Sequence, residues 1–101
     1  MLTLQTRTED LVSRLRLVVR GAVQGVGFRA TVKHLARGYE VVGWIKNLPD
    51  GRVEMQASGD TDEVEAFLEA IAESELKSHI KKVDARAIPP LTDARGFEIT
   101  R

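Results

Sequence analysis

The sequence predicts an α+β sandwich: one antiparallel sheet with two helices on one face, in the order β-α-β-β-α-β. Three observations predict it. Apolar residues alternate at Leu15, Leu17 and Val19 and again at Val53, Met55 and Ala57, the period of half-buried strands. Two other stretches, Phe28, Val32, Leu35, Ala36, Tyr39 and Val64, Phe67, Leu68, Ile71, repeat at helical spacing. The 101 residues suffice for one modest core and not for two.

Residues 1–13 show no sustained periodicity and read as a polar leader before a domain spanning 14–101. The first strand runs from Arg14 to Arg20, with Arg14, Arg16 and Arg20 on its outer face. Gly21 to Gly27 is a loop with three glycines, and Gly38 is a stop signal for the helix that follows. Val41–Asn47 is β-branched and aromatic, a second strand. Leu48-Pro49-Asp50-Gly51 supplies turn chemistry, so the strand carrying Val53, Met55 and Ala57 returns antiparallel.

Asp60 with Glu63 three residues later forms a capping-box pattern for the second helix. A connection at Ser74–His79 leads to a fourth strand, where Val83, Ala85 and Ala87 alternate with Lys82, Asp84 and Arg86. Pro89-Pro90 ends that strand, and Gly96–Thr100 can form a short fifth edge strand. This element order is that of the ferredoxin-like split βαβ fold, which hosts many functions and settles none.

Composition narrows the chemistry. The chain holds 15 Lys and Arg against 15 Asp and Glu, with no net charge, which argues against nonspecific nucleic-acid or membrane-surface binding. Without cysteine there is no disulfide framework, thiolate catalysis or thiolate zinc site. No apolar run is long enough to span a membrane, and Met1–Arg16 has no apolar centre of a signal peptide. A soluble, cytoplasmic single domain is the expectation. The charge is nevertheless segregated: residues 1–46 hold eight bases and three acids, whereas residues 50–75 hold one base and nine acids. A small anion site therefore belongs in the first or last third of the chain.

Gly21-Ala22-Val23-Gln24-Gly25-Val26-Gly27-Phe28-Arg29 leaves a strand and enters a helix. Gly25 and Gly27 can accept positive φ, which lets successive backbone N–H groups converge into an anion-binding concavity. The helix N-terminus adds unpaired donors, and Arg29 can place a planar fork on two phosphoryl oxygens. The spacing matches neither the dinucleotide fingerprint nor the Walker loop. On physics alone, a glycine-rich connection with Arg29 on a solvated helix end accounts for the stretch equally well. Asn47, at a strand end, can orient a water molecule, but Asn in this position commonly only bonds the backbone.

Gly21-x-Val23-Gln24-Gly25-Val26-Gly27-Phe28-Arg29 resembles the first signature of the acylphosphatase family. Gly43-Trp44-Ile45-Lys46-Asn47-x-x-x-Gly51-x-Val53, with Gly59 beyond, resembles the second. The resemblance runs from about Leu15 to Ile99; Ile45 departs from the smaller residue usual there, a matter of packing rather than chemistry. The resemblance implies metal-independent hydrolysis of small acyl phosphates to a carboxylate and inorganic phosphate. It implies that the loop of Gln24, Gly25, Val26, Gly27, Phe28 and Arg29 binds the phosphoryl group and that Asn47 positions the attacking water.

Other residues carry bland readings. His34 and His79 have no second ligand at metal spacing, and Trp44 is read as core or partial cover. Asp62, Glu65, Glu69 and Glu73 form a solvated helix face. The third strand lacks the interleaved aromatics of an RNA-binding sheet. A non-catalytic phosphate-binding module on the same fold is the competing reading, though such a module could dispense with Asn47. A weaker one, a piece of a larger carbamoyl-phosphate-processing protein, fits poorly with a chain ending at Arg101.

Overall fold

In β1 (Val12–Gly21), Leu17 and Val19 are buried on one face, while Arg16 and Arg20 project from the other. The alternation therefore performs as a half-buried strand requires. A computed structural model describes residues 12–88 and 96–100, with side chains from Arg14 onward. The further elements are α1 (Phe28–Ala36), β2 (Val41–Asn47), β3 (Val53–Asp60), α2 (Thr61–Ala72), a 3-10 turn (Glu75–His79), β4 (Ile80–Ala87) and β5 (Phe97–Ile99). The α+β sandwich predicted from the sequence is the observed fold. Residues 1–11 of the predicted 1–13 leader, and Pro89-Pro90, lie outside the described residues.

The sheet order is β4-β1-β3-β2-β5. β1 pairs antiparallel with both β3 and β4, and β2 pairs antiparallel with β3. The fifth strand adds the parallel pairing, Gly43–Ile45 against Phe97–Ile99, so the complete sheet is mixed. This topology points β1, β2 and β5 the same way. Their carboxyl ends meet at one end of the sheet, where α1 begins.

Inward-facing Leu17, Val19, Ile45, Met55 and Ala57 pack with Phe28 and Val32 of α1 and Val64, Phe67 and Ile71 of α2. Ile45, Val32, Val64 and Phe67 have no exposed surface. Each such aliphatic or aromatic side chain contributes about 1.5–3 kcal/mol through burial. Phe67 of α2 packs against Tyr39, in the turn after α1, and Phe97 of β5, with ring centroids 6.0 and 5.5 Å away.

Gly43 is required by this packing. Its φ is 150°, and a Cβ there would stand 1.9 Å from the carbonyl oxygen of Gln56 on β3. Gly43→Ala must part β2 from β3, at a cost of about 2–4 kcal/mol. Urea unfolding should show that loss as a lower midpoint with an unchanged slope.

Several boundaries and contacts depart from the sequence reading. The β1 backbone already pairs at Val12 and Ser13, opposite Asp60 and Gly59, because the β3 ladder continues that far. Arg14 is buried, because it lies on the open sheet face against Gln56, to which its guanidinium donates a hydrogen bond. Glu54, also on that face, is buried and accepts a 2.6 Å bond from Arg16. Trp44 lies there too, half-buried, with the Lys46 ammonium 5.2 Å from its ring centroid.

Helix α1 stops at Ala36, and Gly38 is not in the left-handed conformation; Tyr39 reaches the core through the following turn. Asp60 is the N-cap of α2 but makes no side-chain cap bond. Glu63 instead accepts the Glu40 amide at 2.7 Å, binding α2 to the start of β2, so the reciprocal capping box does not form.

Candidate active site

Gly25 and Gly27 adopt φ of 79° and 75°, the left-handed values their loop positions were expected to need. With no side chain at either point, the turn from β1 into α1 stays open toward solvent; an added Cβ would meet no atom, so the requirement is conformational. Gly27 is the N-cap of α1, and the first helical bond runs from the Thr31 amide to the Gly27 carbonyl at 2.9 Å. The amides of Phe28, Arg29 and Ala30 precede that bond and are the donors an N-terminal turn leaves without helical acceptors. No acidic residue occupies this first turn, so no carboxylate competes for them.

The loop, the start of α1 and the ends of β2 and β5 enclose a cavity of about 180 Å³. It is lined by Val23, Gly25, Gly27, Phe28, Arg29, Ala30, Asn47 and Ile99. Arg29, in the first helical turn, and Asn47, the last residue of β2, thus come together although 18 positions separate them in the chain. Asn47 Oδ1 is the buried side-chain polar atom that, among the described residues, has no hydrogen-bond partner. It faces the cavity that Arg29 also lines, with its lone pairs bonded to no protein donor.

The turn after Asn47 is tightly tied. Leu48 N–H donates to the Arg52 carbonyl at 2.8 Å, and Gly51 N–H to the Leu48 carbonyl at 3.2 Å. Asp50 accepts from the Arg52 amide at 3.1 Å and from its guanidinium at 2.7 Å. The amide bond, assisted by the adjacent guanidinium, holds the Asp50 carboxyl below its usual pKa.

Of the predicted loop residues, Gly25, Gly27, Phe28 and Arg29 line the cavity. Phe28 does so while its ring belongs to the core. Val26 is 42% exposed and outside the lining. Gln24 turns its side chain away: its amide donates to the Leu48 and Arg52 carbonyls at 2.8 and 2.9 Å. Three lining residues, Val23, Ala30 and Ile99, were not among the predicted site residues. Ile99 reaches the site only because β5 pairs parallel with β2, placing Ile99 beside Ile45.

Comparison with known proteins places the fold in a family. The acylphosphatase family model matches residues 15–99. An acylphosphatase of Acaryochloris marina is 39% identical over 87 residues, 86% of this chain and 92% of that protein. An acylphosphatase of Salinibacter ruber is 36% identical over 98 residues, 97% of this chain and 100% of the relative. The crystal structure of acylphosphatase from Bacillus subtilis superposes with a TM-score of 0.80 at 33% identity, covering 89% of this chain and 99% of that one. Among the described residues, no helix is long and apolar enough to cross a membrane. With both signatures meeting in one cavity and matches along nearly its whole length, the chain belongs to the acylphosphatase family.

Proposed function

We propose that this site hydrolyses the carboxyl–phosphate bond of small acyl phosphates, giving a carboxylate and inorganic phosphate. The observation that carries the reading is the shared cavity of Arg29 and the unpartnered Asn47 Oδ1, at the mouth of a left-handed glycine loop. The N–H groups of the loop and first helical turn, with the Arg29 guanidinium, take the phosphoryl oxygens. These donors are preorganised, so they stabilise charge in the transition state without reorganising. Asn47 Oδ1 accepts a hydrogen bond from the attacking water and aims its lone pair at phosphorus.

The water oxygen forms a bond to phosphorus as the bond from phosphorus to the acyl oxygen breaks. The electron pair of that bond leaves with the carboxylate, and a water proton passes to a phosphoryl oxygen of the substrate. A carboxylate leaves readily, so the residues need only position and stabilise, as phosphoryl transfer generally demands. The reaction needs neither cofactor nor metal in this reading. The protein acts as a cytoplasmic monomer on a small molecule, without nucleic acid as a partner.

The test is turnover of benzoyl phosphate in the presence of a chelator. The expected result is full activity, with kcat showing no ionisation of an enzyme base near neutral pH. Binding of inorganic phosphate without turnover of any acyl phosphate would instead identify a phosphate-binding module. An essential base near neutrality would refute proton transfer to the substrate.

A further inference from the structure

The Gln24 side chain spans the two halves of the site without lining its cavity. It leaves the glycine loop and donates through one amide nitrogen to two carbonyls, Leu48 at 2.8 Å and Arg52 at 2.9 Å. Both hydrogens of that amide are thereby used. The two acceptors belong to the turn that begins immediately after Asn47, and they are the same carbonyls that close it. Among the described residues, no other side-chain hydrogen bond joins the loop to this turn.

Asn47 makes this junction consequential. Its Oδ1 has no protein partner, so no hydrogen bond to that oxygen fixes where it points. The direction must come from the Asn47 backbone, held on one side by the β2–β3 ladder, where Asn47 lies opposite Val53, and on the other by the turn. We infer that Gln24 is a positioning residue that fixes the Asn47 carboxamide relative to the phosphate loop. It acts on the nucleophile's alignment rather than on phosphate affinity. The inference rests on the proposed role of Asn47 and adds to it the means by which two separate chain segments are held in register.

Gln24→Met keeps the length of the side chain and removes both donors. Displacement of the water-orienting group should lower kcat on benzoyl phosphate about 10- to 100-fold. KM and the inhibition constant of inorganic phosphate should stay within about twofold, because the donors of the cavity remain. In the Asn47→Ala background the same change should alter kcat by no more than about twofold, since the group it positions is absent. Gln24→Asn, too short to reach both carbonyls, is the second variant should Gln24→Met not fold. It is expected to show the same pattern.

A purely structural role predicts a different outcome: weaker phosphate binding and an equal kcat loss in both backgrounds. Either that equality or an unchanged kcat in the single variant overturns the inference while leaving the proposed reaction intact. If Asn47→Ala alone retains wild-type kcat, the role of Asn47 fails and the inference falls with it. If the wild-type chain turns over no acyl phosphate, the proposed function itself is refuted.

Discussion

Asn47→Ala is expected to lower kcat on benzoyl phosphate about 100- to 1000-fold while inorganic phosphate binds with nearly wild-type affinity. The division follows from geometry. The proposed phosphoryl donors lie in the loop, the first turn of α1 and Arg29, and none of them is altered by truncating a side chain at the end of β2. What is lost is the acceptor proposed to orient water. The variant should also fold about as well as the wild type. No protein group bonds Oδ1, so truncation breaks no protein hydrogen bond to that oxygen. A loss of activity without a matching loss of stability separates function from folding. Denaturant titration beside steady-state kinetics measures both, and a variant that loses stability and phosphate affinity together would contradict this assignment.

Arg29→Gln is expected to lose at least as much activity, but phosphate affinity should fall with it. Glutamine keeps a donor and most of the length, but removes the charge and the planar fork that engages two oxygens at once. That interaction exists with both the ground state and the transition state, so KM and the phosphate inhibition constant should rise as kcat falls. The expected loss of about 100- to 1000-fold corresponds to about 2.7–4 kcal/mol of transition-state stabilisation. Among the described residues, Arg29 forms no ion pair that would already engage its guanidinium. Equal phosphate affinity in Arg29→Gln and the wild type would refute the assignment of phosphate binding to this side chain.

The features legible in the sequence are those governed by local periodicity and backbone freedom. Leu17, Val19, Met55 and Ala57 lie inward because a strand alternates its faces, and Val32, Val64, Phe67 and Ile71 do so because a helix repeats. Gly25 and Gly27 were readable as left-handed positions because few other residues adopt that conformation readily. Arg29 was readable because it follows them into the first helical turn.

Features that depend on partners distant in the chain were not legible. Arg14 alternates as an outward residue, yet its neighbours across the open face bury it. Glu63 has the spacing of a capping box, but the Glu40 amide reaches it first. The Gln24 side chain bonds carbonyls 24 and 28 positions away, which its place in the loop does not reveal. Ile99 enters the site through a parallel pairing that nothing in its own segment encodes.

The proposed division of roles makes phosphorus, rather than the acyl carbon, the atom attacked. Hydrolysis of benzoyl phosphate by the wild-type protein in ¹⁸O-enriched water, with product analysis by mass spectrometry and correction for spontaneous hydrolysis, measures this directly. Attack by water held at Asn47 on a phosphoryl group held by Arg29 and the loop predicts label in inorganic phosphate and none in benzoate. Label in benzoate would show attack at the carbonyl carbon and would contradict the account.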